Sequence, residues 1–160
     1  MKRIILAVFV LSFVFISQNL VFSQESFTHP DAKVTITVPG GWMYEISGSN
    51  LTMYPKSKAI ALAFNIMDAS GIDAAVQKAV SDIKTHFPTA HIGDPTSHDV
   101  NGMTGFSLAG DTPEGMAFSY TLFVTPSAKV MEVGFAAQKD AFGKYASDIV
   151  TIVNGITPAH

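Results

Sequence analysis

The stretch from residue 59 to residue 67 constrains the fold most, because both of its faces are mostly apolar. Larger side chains alternate there with smaller or weakly polar ones: Ile60, Leu62, Phe64 and Ile66 with Ala61, Ala63, Asn65 and Met67. A strand that is hydrophobic on both sides is covered on both sides of its sheet. The small alanines allow a helix backbone to approach closely. The stretch therefore predicts a sheet with a layer on each face, one of them helical.

Other strand-like runs surround this stretch and are separated by turn residues. The runs are residues 33–38, 42–46, 51–54, 97–100, 103–109, 117–124 and 130–136. The connections between successive runs are short and rich in glycine, proline and asparagine, so consecutive strands are expected to be antiparallel. The first three runs predict a meander, preceded by a short polar lead over residues 25–31.

Helical periodicity appears twice, over residues 72–87 and 142–156. Ser70 and Asp73 fit a capping box at the start of the first helix, and Pro88 closes it. Many strands with few helices predict the α+β class around one antiparallel sheet.

The amino terminus has the pattern of a secretory signal. Lys2 and Arg3 precede an apolar run, and Ser23 supplies a small residue at a cleavage point. We predict a signal peptide over residues 1–23 and a single domain over residues 24–160, exported to the periplasm or outside the cell. An uncleaved anchor is the alternative, since residues 4–22 could span a thin bilayer. The polar residues Gln18 and Asn19 interrupt the run and favour cleavage.

Charge and cysteine content exclude several classes of function. The chain has 10 basic and 13 acidic side chains, so removal of Lys2 and Arg3 leaves 8 basic ones and a net charge of −5. This sign disfavours nucleic acid and anionic membranes as partners. The absence of cysteine excludes disulfides, thiolate chemistry and a lipid-modified cysteine anchor. No cofactor is predicted.

Trp42 is the only tryptophan and follows a Pro-Gly-Gly run. It shares a strand face with Tyr44 and Ile46, so we predict that it caps the end of the core. The alternative is an exposed platform on which a ligand stacks.

The densest polar group lies in residues 90–99. Its candidate metal ligands are His91, Asp94, His98 and Asp99, since imidazoles and carboxylates bind zinc, manganese or copper. Their spacing matches no standard metal motif. His98 and Asp99 also lie on opposite sides of a predicted strand, so the four need not converge. Binding of a small molecule or divalent metal by this loop is the second functional hypothesis.

Catalytic signatures are absent from the sequence. Serine, histidine and aspartate occur, but no G-x-S-x-G elbow does. The glycines of residues 110–115 stand beside Glu114, whose carboxylate would repel a phosphate. A hydrolase is therefore the third and last hypothesis.

The order of elements is familiar. A strand ending "VP" followed by "GW", a meander, a helix, a central antiparallel run and a last helix "FGKYASDIVTIVNGI" resemble the PsbP-like family over residues 27–158. That family includes the extrinsic photosystem II subunit, a yeast Ran-binding nuclear-import factor, bacterial DcrB-like proteins and type VI effector-loading chaperones. The resemblance implies an α/β/α sandwich, a central antiparallel sheet flanked by helices on both faces. The bacterial-type leader and the missing lipid-anchor cysteine separate this chain from the photosystem role.

The first functional hypothesis follows from the missing catalytic signatures and from the family resemblance. The sequence and the resemblance predict a secreted or periplasmic, non-enzymatic assembly or chaperone-like protein. It would bind another protein or a peptide through its sheet face or a sheet edge.

Overall fold

The computed structural model describes residues 25–159. The predicted signal peptide over residues 1–23 and its cleavage point lie outside the described residues and stay predictions. Within residues 25–159, neither helix has the length and hydrophobicity that a membrane span needs.

Eleven strands and two helices make up the described residues. In chain order they are β1 (Glu25–His29), β2 (Val34–Val38), β3 (Trp42–Ser47), β4 (Asn50–Pro55), β5 (Leu62–Met67), α1 (Ile72–His86), β6 (His91–Ile92), β7 (Thr96–Val100), β8 (Met103–Asp111), β9 (Met116–Val124), β10 (Val130–Gln138), α2 (Lys139–Asn154) and β11 (Thr157–Pro158).

The main sheet has eight antiparallel strands in the order β3-β4-β5-β10-β9-β8-β6, with β7 also pairing with β8. Its centre is the long β8-β9-β10 ladder, in which Gly134 pairs with Tyr120 and Leu108 pairs with Tyr120 from the other side. The prediction of consecutive antiparallel strands is confirmed for these elements.

The predicted meander at the amino-terminal end is wrong. The polar lead forms β1, and β1, β2 and β11 make a separate three-stranded sheet. The turn after β2, in which the Trp42 amide donates to the Pro39 carbonyl at 3.1 Å, carries the chain from one sheet to the other. Alternation identified the strands correctly, but it holds no information on which sheet each one joins.

The two helices match their periodicity, although the predicted capping box is wrong. Helix α1 has Gly71 at its N-cap and no side-chain cap hydrogen bond. Helix α2 begins at Lys139, three residues before Phe142, the first residue of its predicted apolar pattern.

Two hydrophobic clusters form the core. The larger cluster joins β2, β4 and the odd-numbered residues of β10 to Ile149 and Ile152 of α2. The smaller cluster joins Ala75 and Ala79 of α1 to Leu108, Leu122 and Val130.

The predicted sandwich with helices over both faces of a central sheet is not confirmed. On one side the layer is mixed, because β2 and α2 both pack into the larger cluster. On the side of α1, the helix packs mainly on β9, and Met67 is the β5 residue that packs against its hydrophobic cluster. Ala63 and Asn65 of β5 stay partly exposed, so the doubly apolar stretch lacks the full second cover that it predicts. The structure shows an antiparallel sheet with two helices.

Candidate functional site

The predicted metal-ligand residues are spread along one edge of the main sheet. His91 lies in β6 opposite Asp111, and His98 lies in β7 opposite Gly105. These partners are six residues apart on β8, which separates the two histidines by about 20 Å along the strand.

The two acidic members of the set do not join the histidines. Asp94 is exposed in the connection between β6 and β7, and Asp99 accepts a 2.9 Å hydrogen bond from the Gly102 amide. Strand alternation places Asp99 on the face opposite to His98, as the sequence indicates. Within residues 25–159, no three His, Asp or Glu side chains are grouped as metal ligands.

The opposite edge strand, β3, carries most of the exposed large hydrophobic side chains of residues 25–159. Among the described residues, four large hydrophobic side chains are exposed: Met43 at 38%, Tyr44 at 37%, Ile46 at 48% and Val150 at 58%. Three of these four belong to the six residues of β3. Isolated exposed apolar side chains are normal, but a cluster on one strand indicates an interaction surface.

The backbone of β3 adds unpaired polar groups to this surface. Gly48 has a φ of 61° and Ser47 pairs with Asn50, which is the geometry of a two-residue hairpin turn. In such a hairpin the flanking pair is hydrogen-bonded and the pairs alternate along the ladder, so Glu45 and Met43 bond to β4. Tyr44 and Ile46 therefore direct their backbone N–H and C=O groups away from β4.

Nothing within residues 25–159 pairs with that outer row, since β3 has only β4 as a sheet neighbour. The residue opposite Trp42 on β4 is Pro55, which has no N–H. This agrees with the alternation, because a proline fits a pair that makes no ladder hydrogen bonds. We name the outer side of β3, with the side chains Met43, Tyr44 and Ile46, the open edge.

Aromatic and charged groups border the open edge. Phe27 of β1 packs near Tyr44, with ring centroids 6.5 Å apart. On the other face, the Tyr54 hydroxyl donates to the Glu45 carboxylate. That hydrogen bond, more than burial or the carboxylate charge, raises the pKa of Tyr54 above its ordinary value. Lys58 lies over the Tyr54 ring at 5.2 Å.

Trp42 fixes the start of the open edge. Its side chain is 8% exposed, as the core-anchor prediction requires. The indole Nε1–H donates to Asp148 Oδ2 of α2 at 3.0 Å, and the ring meets Tyr145 edge-on with centroids 5.9 Å apart. The tryptophan thus ties β3 to α2, while the residues that follow it on the same face are exposed.

A second candidate surface is a cleft of about 440 Å³ between α2 and the sheet. Most of the lining residues from the sheet are small, namely Ser107, Ala109, Gly110, Ala117, Ser119 and Thr121, although Phe118 and Phe135 also line the cleft. Helix α2 contributes Phe142, Ala146, Ile149, Val150 and Val153. His98 and Asn154 are its other polar lining residues. A cleft of this size and polarity can hold a small apolar molecule.

The sequence predicted residues on the right strands but missed the open edge. Alternation placed Trp42, Tyr44 and Ile46 on one face, yet only Trp42 is buried. Two sequence signals could have pointed to the edge. They are the Gly48 turn and the absence of lysine and proline from residues 42–47.

Comparison with known proteins shows which solved structures share this fold. No protein-family model and no curated protein sequence matches this chain. The solution structure of cyanobacterial PsbP (CyanoP) from Synechocystis sp. PCC 6803 matches with a TM-score of 0.61 at 12% identity, over 82% of this chain and 90% of that one. The crystal structure of LpqN, involved in cell envelope biogenesis of Mycobacterium tuberculosis, matches with a TM-score of 0.56 at 15% identity, over 84% and 89%. The chain has a PsbP-like fold, which confirms the predicted resemblance.

Proposed function

We propose that this protein is an exported, non-catalytic binding protein that accepts an extended segment of another protein along the open edge. The observation that carries this proposal is the placement of three of the four exposed large hydrophobic side chains of residues 25–159 on one unpaired strand. An added strand would bond to the free backbone groups of Tyr44 and Ile46. Its side chains would cover the apolar ones of the open edge.

Affinity and specificity would come from different parts of this surface. The backbone groups bind any extended chain, whereas the side chains select among sequences. Tyr44 and Phe27 offer an aromatic site on one face. Met43 and Glu45 lie on the other face, so a partner with apolar and basic residues at alternate positions would fit best.

Export is part of the proposal and is supported by the predicted signal over residues 1–23. An envelope role is supported by the fold shared with LpqN, a protein involved in cell envelope biogenesis. The lack of a catalytic signature in the sequence supports a non-catalytic role. A shared fold does not determine activity, so the geometry of the open edge carries the proposal.

We also propose that α1 and α2 stand on opposite faces of the central strands. Neighbouring residues of β9 point to opposite faces. Leu122 belongs to the cluster around α1, and Phe123 belongs to the cluster that contains α2. In this layering α2 meets β3 at Trp42, the first residue of the strand.

Site-specific photo-cross-linking tests the proposed function. A photoreactive phenylalanine analogue at position 43 is expected to capture a partner from the native envelope fraction, and the same analogue at Ser97 on the opposite edge is not. Adding Tyr44→Pro should abolish capture, because proline removes an outward N–H and leaves the β3–β4 ladder intact. Equal capture from positions 43 and 97, or capture that survives Tyr44→Pro, would refute the proposal.

The cleft beside α2 supports a second candidate function, the binding of a neutral apolar small molecule. Most of its lining residues from the sheet are small, where a well-packed interface would carry larger ones. Ser119→Leu would fill that part of the cleft and is expected to abolish binding of the uncharged dye Nile red. Ser97→Leu, on the other face of β7, is the matched control. Divalent-metal binding at His91, Asp94, His98 and Asp99 is tested separately below.

A further inference from the structure

We infer that a second copy of this chain occupies the open edge of the free protein, with the two β3 strands antiparallel and Tyr44 opposite Tyr44 of the second copy. The inference rests on the proposed function, because it requires that the open edge accepts a strand. It adds that, when no other partner is present, the accepted strand is β3 of a second copy.

Symmetry limits how two β3 strands can meet. A two-fold axis perpendicular to the sheet makes one continuous antiparallel sheet in which each face stays continuous. Residues that pair must then come from the same face of β3. Two registers overlap five residues of each strand, one centred on Tyr44 and the other centred on Glu45.

Hydrogen bonding does not choose between these two registers. Centred on Tyr44, the two Tyr44 residues exchange two bonds, and each Ile46 amide reaches a Trp42 carbonyl. The Trp42 amide itself is already bonded to Pro39. Centred on Glu45, each Tyr44 exchanges two bonds with Ile46 of the second copy. Both registers make four hydrogen bonds.

Charge does choose between them. The register centred on Glu45 places the two Glu45 carboxylates opposite each other in a non-hydrogen-bonded pair, with Cα atoms about 4.5 Å apart. Like charges directly opposite are destabilising. The register centred on Tyr44 instead places Glu45 opposite Met43. It also pairs the two exposed tyrosines with each other, which is a favourable type of cross-strand pair.

The second copy is favoured as the occupant because the edge lacks most of the devices that prevent self-pairing. Edge strands are commonly protected by lysine, proline, a bulge or an inward charge. Residues 42–47 contain none of the first three, and their single charge is displaced from the symmetry axis in the preferred register. Pairing would cover Met43, Tyr44 and Ile46 together.

The absence of cysteine from the chain allows a direct test of the register. Under mild oxidation, Tyr44→Cys is expected to form a disulfide-linked dimer. A hydrogen-bonded antiparallel pair has Cα atoms about 5.5 Å apart, which a disulfide spans. Ile46→Cys alone and Ser97→Cys alone are expected to stay monomeric. A dimer that forms only when Tyr44→Cys and Ile46→Cys are mixed would assign the other register and overturn this one.

Sedimentation equilibrium of the unmodified mature protein covers the case in which Tyr44→Cys weakens association. We expect a concentration-dependent dimer that Ile46→Lys abolishes while the melting temperature is kept. A monomer at every concentration would overturn the inference. If Tyr44→Pro still abolished capture of an envelope partner in that case, the proposed function would stand without the dimer. If Tyr44→Pro left capture unchanged, both the dimer and the proposed function would be refuted.

Discussion

The two edge regions of the main sheet differ in the length, continuity and polarity of their strands. The edge formed by β6 and β7 is broken by the connection Gly93-Asp94-Pro95, and its strands are short and polar. The edge formed by β3 is six residues long, continuous and apolar. Proline and interruption are common ways to stop an edge from adding strands. Within residues 25–159, β6 and β7 therefore form a protected edge, whereas the outer row of β3 stays unpaired.

Each edge also has a polar contact between two ionisable side chains. At the open edge, Tyr54 donates to Glu45. At the protected edge, Lys139 Nζ lies 2.6 Å from Asp111 Oδ2. Both pairs are solvent-exposed and contribute little to stability. They serve better as reporters of their edges.

The largest expected effect is at the buried start of the open edge. Trp42→Ala should lower the free energy of unfolding by about 3–5 kcal/mol, because it empties the site of a buried aromatic ring. Urea denaturation measures this change. Ser97→Ala on the protected edge is the matched control and should stay within about 0.5 kcal/mol of the wild type.

Near-normal stability of Trp42→Ala would mean that the ring does not anchor β3. A companion variant, Asp148→Ala, removes only the acceptor of the indole N–H. Its expected loss is about 1 kcal/mol, in keeping with a single hydrogen bond.

A smaller effect concerns the pKa values of one side chain at each edge, Tyr54 and Asp111. Glu45→Ala should lower the pKa of Tyr54 toward its ordinary value, as measured by ultraviolet titration of the tyrosines. Lys139→Ala should raise the pKa of Asp111, which the Lys139 hydrogen bond and then its charge hold below the ordinary value. Nuclear magnetic resonance of the Asp111 carboxyl follows the second change.

The signs of the two pH effects are opposite. The pKa of Tyr54 is raised in the fold, so its contribution to stability is present below the ordinary tyrosine pKa and is lost as pH rises through the raised value. The pKa of Asp111 is lowered, so its contribution is present above the ordinary aspartate pKa and is lost as pH falls through the lowered value. Unchanged pKa values in the two variants would show that neither pair persists in solution.

The smallest expected effect is a null result at the protected edge. Zinc, manganese and copper should give no saturable rise in melting temperature, because His91 and His98 are too far apart to share an ion. A bound metal would raise the melting temperature by mass action and would lose its effect as the histidines protonate. A shift that His91→Ala and His98→Ala each abolish, and that the control His86→Ala leaves, would establish the metal site.

Much of the fold could be predicted from local patterns. Alternation found β8, β9 and β10, and the 3.6-residue period found α1 and α2, because each pattern records which side of one element is buried. The separation of His98 from Asp99 followed from the same rule. Trp42 was correctly predicted as a core anchor, since a tryptophan beside a turn is usually buried.

The remainder depends on pairing between distant parts of the chain. The assignment of β2 to a second sheet rests on its contacts with β1 and β11, which lies more than 100 residues away. The exposure of Tyr44 and Ile46 arises because β3 is the last strand of its sheet. Alternation gives the face of a residue, but it does not reveal whether a strand has one neighbour or two.

Amide hydrogen exchange at Tyr44 and Ile46 tests the open edge most directly. In dilute protein these two amides should exchange quickly, while the amide of Glu45, bonded to β4, should be protected. Protection at Tyr44 and Ile46 should then increase with protein concentration, whereas amides of the protected edge should not change. Slow exchange at Tyr44 and Ile46 at every concentration would contradict the account, because it would show that the outer row of β3 is already paired within the chain.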